Sequence, residues 1–376
     1  MDESGILKTL IGFNTTNPPG NECLVVEYVK RLFETYNIKY RIFAKDSKRP
    51  NIVGYIGKAR PHFLIACHSD VVPAGDGWNT NPFTPVEKNG RIYGRGALDN
   101  KGPMASLLSA ALVLKRIESS LKGTFLVGVF ADEERGSDFG VEYLLESKKI
   151  LPDFAILPDN AGSMRFISIA EKGILRVELL SYGRASHGSA PEKGINAVYN
   201  LLDVLQLVRK KNLKFRQHSL LSSPTINLGT IEGGRVANMV PDFAKAVLDI
   251  RFVPGQSVGS IMKEIRECII RAKHKNKQIR VVAKNSLFMP ATEVSSSNFL
   301  VKKIQHSVKD VLGFVPAVSG DSGASDAKAF LARSIPAVGY SCGERHMFHV
   351  ANESIRISEL QQFTKVLVEI VKVVLR

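Results

Sequence analysis

Apolar residues along this chain fall into helical spacing first and strand-like spacing next. Ser4–Phe13 and Glu22–Tyr36 have helical periodicity, with Val25, Tyr28, Val29, Leu32 and Phe33 on one face of the second. The turn-forming run TTNPPGNE separates them. Short β-rich runs follow at Tyr40–Phe43, Ile52–Ile56 and His62–Cys67, the last leading directly into His68-Ser69-Asp70. A long loop rich in Gly, Pro and Asn is expected from Pro73 to Arg95, then a helix over Lys101–Lys115. Thr124–Ala131 is a continuous apolar strand that stops at Asp132-Glu133-Glu134. Gly140–Glu146 is helical, and the short strand Phe154–Leu157 is followed closely by Asp159. Strands alternating with helices predict an α/β sheet. The polar residues collect at the carboxyl ends of its strands, where open sheets of this class bind ligands.

After Lys172 the pattern changes. Strands are expected at Leu175–Ser181, Thr225–Ile231, Lys245–Phe252 and Ile279–Ala283, and helices at Gly194–Val208 and Ser257–Ala272. Strand–helix–strand–strand–helix–strand is the ferredoxin-like split pattern. It places an inserted α+β domain at residues 173–285. The first domain then occupies 1–172 and resumes over 286–376, with helices at Asn298–Leu312, Asp326–Leu331 and Ile357–Leu375 and a strand at Ala337–Tyr340.

Length agrees with two domains, because 376 residues exceed one ordinary core. A hydrophobic fraction of 44% and a charged fraction of 23% are ordinary for a soluble globular protein. The segment MDESGILKTLIGF lacks a basic region followed by an apolar run, so no secretory signal is expected. No apolar stretch approaches the ~20 residues of a membrane span. Cys23, Cys67, Cys268 and Cys342 are scattered, which suggests neither a disulfide framework nor a cysteine zinc site. The expected location is the cytoplasm. The net charge is +15, and the densest basic stretch is Arg266–Lys284. No aromatic residue interleaves it, so it reads as a solvated face and no nucleic-acid partner is expected.

The candidate chemistry lies at the strand ends. In His68-Ser69-Asp70 the His and Asp point to one face, and Asp70 suits the ring N–H of a metal-bound His68, although a surface turn has the same composition. Asp99, in GRGALDNKG, suits either a helix cap or a ligand. Glu133 and Glu134 emerge together from a buried strand and repel each other unless a cation or proton balances them. Glu134 could then bind metal while Glu133 accepts a proton from water. Asp159, in LPDN, and His349, in FHVANE, have turn and surface alternatives. His346 lies close enough to His349 to compete for its role. Imidazole and carboxylate ligands suit zinc, cobalt or manganese, and a carboxylate can bridge two such ions.

At these motifs the chain strongly resembles the family of acetylornithine deacetylases, succinyl-diaminopimelate desuccinylases, aminoacylases and glutamate carboxypeptidases. The resemblance covers nearly the whole chain. It rests on TTNPPGNE, HSDVVPAGDGWNTNPFTPVEKNGRIYGRGALDNKG, ADEERGS, LPDN, GRASHGSAPEKGINA, NLGTIEGGRVANMVPDFAKAVLDIRFVPG, SGASDA and FHVANE. It implies a mixed-sheet zinc-peptidase-like catalytic domain carrying an inserted ferredoxin-like lid and dimerisation domain. It implies two divalent metal ions, with His68 and Asp159 on one, Glu134 and His349 on the other, and Asp99 bridging. Asp70 would orient His68, and Glu133 would be general base and then general acid. His187 would reach the substrate carbonyl oxygen across a homodimer. Asn238 and Arg251 would bind substrate, and Gly323-Ala324-Ser325 would receive its carboxylate. By residue type alone, His187 also suits a surface loop, Arg251 an ion pair and Asn238 a turn. The peptide after Asp99 would be cis. The implied reaction is hydrolysis of the amide of an N-acyl amino acid, with a dipeptidase or carboxypeptidase as the alternative.

Overall fold

The computed structural model describes residues 2–376. The described residues form two compact units, one of residues 2–169, 294–319 and 325–376, the other of 170–293 and 320–324. The second unit is wider than the 173–285 expected from the pattern. The reason is local: its outer strand runs on to Met289, and Thr292 and Glu293 then pair with Glu171 and Ala170. The loop residues 320–324 go with it, and Lys172 N donates to Asp321 O at 3.1 Å.

The first unit is built on a mixed sheet. Its strands run in the order Lys39–Phe43, Asn51–Ile56, Thr124–Phe130, His62–His68, Phe154–Leu157, Ala337–Gly339 and Phe166–Glu171. Thr124–Phe130, His62–His68, Phe154–Leu157 and Ala337–Gly339 are parallel to one another. Their residues are buried almost throughout, as expected of strands covered on both faces. Leu64, Ala66, Leu126 and Phe130 share a core with the helices Val141–Glu146 and Ala327–Leu331. The same two central strands also pack against the helices Lys101–Arg116 and Ile357–Leu375.

The span expected as a loop from Pro73 to Arg95 contains a hairpin, Val86–Lys88 and Arg91–Tyr93, to which Ser354–Arg356 adds a third strand. Its turn residues, Asn89 and Gly90, both have positive φ. That is the geometry for which Asn-Gly is favoured, and it overrides the loop-like composition around it.

The second unit is a four-stranded antiparallel sheet in the order Thr225–Gly233, Phe243–Phe252, Gly173–Tyr182, Val281–Met289. The helices Ala197–Arg209 and Val258–Lys275 complete the ferredoxin-like arrangement. Leu175, Val177 and Leu179 from the sheet share its core with Leu201, Val204, Ile261 and Ile265 from the helices. Asn196 caps the first helix through Val198 N and Tyr199 N, so that helix starts later than the periodicity suggests. Among the described residues, no helix is long and apolar enough to cross a membrane.

Candidate metal centre

Three parallel strands deliver the centre. His68 pairs in register with Phe130, and Phe154–Leu157 lies on the other side of His62–His68. The three therefore end at one edge, which brings His68, the turn Asp132–Glu134 and Asp159 together. Asp99 arrives from the loop that precedes the helix Lys101–Arg116. The loop lies tightly on the first turn of that helix: a Cβ at Gly102 would come 2.2 Å from Ala97 O. The Asp99–Asn100 peptide is cis. His349 follows the short turn Arg345–Met347 and has a left-handed backbone, φ 58°. His346 lies in that turn and is exposed.

Asp99 stands between two imidazoles. His68 Nε2 is 2.9 Å from Asp99 Oδ1, and His349 Nε2 is 2.9 Å from Asp99 Oδ2. Asp159 Oδ1 is 3.7 Å from His68 Nε2, and Glu134 Oε1 is 3.4 Å from His349 Nε2. One side of the cluster thus pairs His68 with Asp159, the other pairs His349 with Glu134, and one carboxylate spans both. Ligand atoms of His68, Asp99 and Glu134 all lie within 4.8 Å of one another, as do those of His68, Glu133 and Asp159. The side chain of His68 is 2% exposed and that of His349 52%, so the centre opens to solvent on the His349 side.

The electrostatics show a surplus of negative charge. Burial pushes the Glu133 carboxyl well above the ordinary range, and neighbouring Asp159 adds to the shift. Burial also pushes Asp159 up to about 6. Burial opposes ionisation of Asp99, but His349 and His68 outweigh it and hold this carboxyl well below its usual value. His349 is pushed up to about 10 by its hydrogen bonds to Asp99 and Glu134. Glu134 Oε1 is buried, and the His349 Nε2 that approaches it to 3.4 Å is already shared with Asp99, so this oxygen has no donor of its own. The raised values of Glu133 and Asp159 share one cause, carboxylates crowded together away from water. Two imidazoles and three carboxylates, one of them with a buried oxygen that has no donor of its own, fit divalent cations, which would supply balancing positive charge.

An outer layer that composition did not flag holds these groups. Asp70 Oδ1 is 3.6 Å from His68 Nδ1, but that ring nitrogen is closer, at 3.0 Å, to Asp70's own carbonyl oxygen. The Asp70 carboxylate instead accepts from Glu133 N at 3.1 Å, Glu134 N at 3.2 Å and Asn17 Nδ2 at 2.8 Å. Asn17 also donates to Asp132, which pairs with Arg49, itself paired with buried Glu22. Glu353 accepts from Leu98 N and Asp99 N through Oε1, and from Gly96 N and Arg95 Nη1 through Oε2. Asn17 and Glu22 lie in TTNPPGNE and Glu353 in FHVANE. Their polar runs were visible in the sequence, but their partners are distant in it.

The other candidates divide between the two units. His187 and Asn238 are exposed neighbours on the second unit, where Gly188 N donates to Asn238 O at 2.8 Å. The ring nitrogen Nδ1 of His187 is 2.7 Å from Ser189 Oγ. Arg251 donates to Asp249 Oδ1 at 2.7 Å on the same strand. Gly323 and Ala324 belong to the loop 320–324, and Gly323 N donates to Asp321 Oδ1 at 2.9 Å. Ser325 is buried in the first unit, and its Oγ accepts from Ala327 N at 3.3 Å.

Comparison with known proteins agrees with this architecture. An uncharacterized metallohydrolase of Methanocaldococcus jannaschii is 31% identical, over 96% of this chain and 97% of its own. The succinyl-diaminopimelate desuccinylase of Rickettsia bellii is 28% identical, over 95% of this chain and 92% of its own. An M20 family metallo-carboxypeptidase from Sulfolobus solfataricus has the same fold, with a TM-score of 0.78, 23% identity and 99% of each chain covered. The model of peptidase family M20/M25/M40 matches residues 64–373, a span that includes His68, Asp99, Glu133, Glu134, Asp159 and His349, and the chain belongs to that family.

Proposed function

We propose that this protein is a two-metal amidohydrolase that cleaves the amide bond of N-acyl amino acids, of the succinyl-diaminopimelate desuccinylase or acetylornithine deacetylase type. The observation that carries the proposal is Asp99 held between His68 and His349, with a carboxylate beside each imidazole and Glu133 next to them. His68 and Asp159 would hold one ion, Glu134 and His349 the other, and Asp99 both. Zinc suits these ligands, and cobalt or manganese would also fit. When bound, such ions polarise the scissile carbonyl and make water easier to deprotonate.

The protein's own groups do the rest. Glu133 takes a proton from the attacking water, the water oxygen bonds to the amide carbon, and the C–N bond breaks. Glu133 then returns the proton to the leaving amine. A carboxyl whose pKa is raised by burial suits both halves of that exchange. Asp70 fixes the backbone of Glu133 and Glu134 and lies beside the His68 ring. His187 serves as hydrogen-bond donor to the developing oxyanion. Asn238, Arg251 and the loop Gly323-Ala324-Ser325 receive the substrate, whose carboxylate also fits the basic net charge.

The working form is read as a cytoplasmic homodimer joined through the second unit, with His187 acting across the dimer. The strand Thr225–Gly233 is at the outer edge of its sheet and exposes Leu228 and Ile231, which supports that surface as an interface. The four unpaired cysteines fit a reducing compartment. The test is a substrate panel on zinc- or cobalt-loaded protein: N-succinyl-diaminopimelate, N-acetylornithine and simple dipeptides. Turnover of an N-acyl amino acid is expected. Turnover of dipeptides alone would replace this proposal with the dipeptidase or carboxypeptidase alternative, an activity named for the Sulfolobus protein of the same fold.

A further inference from the structure

Ser137 and Asp326 meet behind the turn that carries Glu133 and Glu134. The Ser137 hydroxyl donates to Asp326 Oδ1. Ser137 is buried and has a left-handed backbone, φ 64°, which non-glycine residues seldom adopt. Its N–H donates to Asp132 O at 2.7 Å, and its carbonyl accepts from Gly140 N at 2.9 Å and Glu142 N at 3.2 Å. Ser137 therefore closes the far end of the turn that Asp70 holds at the near end.

Asp326 immediately precedes the helix Ala327–Leu331, a position where an Asp side chain ordinarily caps the first turn. It makes no such cap. Ser325 Oγ accepts from Ala327 N instead, and the Asp326 carboxylate turns toward Ser137. That carboxylate also lies close enough to Glu133 to act on its charge. Burial pushes Asp326 up to about 7, and Asp159 adds to the shift.

We infer that Asp326 is a positioning residue: through the Ser137 hydroxyl it holds the Asp132–Ser137 turn so that Glu134 faces the metal centre and Glu133 the reacting water. This rests on the proposed roles of Glu133 and Glu134. The hydrogen bond is the working element, so an asparagine at 326, which keeps an accepting oxygen, should serve nearly as well as the aspartate.

The experiment compares the parent protein with Ser137→Ala, Asp326→Ala and Asp326→Asn. Cobalt(II) is titrated in, followed by visible absorption and calorimetry, and Tm is measured in EDTA. Loss of a group that supports a metal ligand costs about 10- to 100-fold in metal affinity. Both alanine variants should bind the weaker cobalt less tightly by that factor and show an altered d–d spectrum, with Tm in EDTA lowered by about 2–12 °C, the cost of one unmet buried hydrogen bond, and unfolding still cooperative. Asp326→Asn should retain the parent's affinity and spectrum. Alanine variants that bind cobalt like the parent would overturn the inference, and so would an asparagine variant as weak as the alanine one. No substrate enters this assay. A parent protein that binds no cobalt would sink the metal-centre proposal itself, a different result from parent-like variants.

Discussion

Replacing Glu353 should cost more than replacing any ligand it supports. Its carboxylate is fully buried, and each oxygen takes two donors: Leu98 N at 2.7 Å and Asp99 N at 2.9 Å on Oε1, Gly96 N at 3.0 Å and Arg95 Nη1 at 2.7 Å on Oε2. Alanine would remove the carboxylate paired with the Arg95 guanidinium, which is 1% exposed and would keep only carbonyl acceptors at Pro73, Ala74 and Val350, and it would take the acceptor from three backbone N–H groups. Removing one partner of a buried ion pair costs about 3–5 kcal/mol. In a folding unit of roughly 250 residues each kcal/mol moves Tm by about 2–4 °C, so Glu353→Ala should lower Tm by roughly 6–20 °C. Glutamine discriminates more sharply. It keeps one oxygen, but its NH2 must face two donors wherever it points, so Glu353→Gln should be nearly as damaging as alanine. Thermal unfolding at pH 8 with and without zinc measures both variants. A glutamine variant within about 1 kcal/mol of the parent, less than the cost of one stranded buried donor, would refute the reasoning.

Three further outcomes are expected. Glu133→Gln should lower kcat by about 10²–10⁴-fold, the range for a lost general base, with cobalt stoichiometry unchanged by elemental analysis. Near-parent kcat would remove Glu133 from that role. In the metal-free protein, Asp159 and Asp326 carry folded pKa values of about 6 and 7, above the ordinary carboxylate value, and His349 about 10, above the imidazole value. All three groups bind protons more tightly when folded. Their contribution is therefore full at low pH and is lost as pH rises, through 6 and 7 for the acids and up to 10 for the imidazole. Tm in EDTA should fall from pH 5 to pH 8 while the increment from zinc grows, and a constant increment would contradict the charge accounting. Leu228→Lys with Ile231→Lys, on the outer strand of the second unit, should convert a dimer to a monomer by light scattering with metal content retained. A monomeric parent would exclude the interface.

Much of the fold was legible because its signals are local. The buried runs at His62–Cys67 and Thr124–Ala131 are too apolar for anything but interior strands, and strand–helix alternation names the class. The second unit's order of elements gives the ferredoxin-like arrangement before any distance is known. The Asn89-Gly90 hairpin had an equally local signal, masked by the Gly, Pro and Asn around it. The centre was legible only as a set of strand ends. Nothing local separates Asp99 the candidate ligand from Asp99 the cap; what singles it out is its place between two imidazoles, which lie 31 and 250 positions away. Glu353 is 254 positions from the Asp99 N–H it accepts. Periodicity carries no information at such separations. Asp326 was read as the start of a short helix, and its side chain has a different partner.

The separation of His349 from the other candidate ligands has a consequence for assembly. The chain leaves the first unit near position 169 and returns near 294, so on a growing chain His68, Asp99, Glu134 and Asp159 all emerge before the second unit. On the side beside His68, the strand ends that carry His68 and Asp159 can pair early, while the Asp99 loop still awaits Glu353. The half beside Glu134 must wait until the insertion has been made and the return segment has docked. The entropic charge for that long excursion is modest, since each doubling of a loop adds only about 0.6 kcal/mol, but no local turn can substitute for it. Occupancy of the Glu134 side would therefore report completed folding of the whole first unit, and its loss would mark the undocking of the return segment.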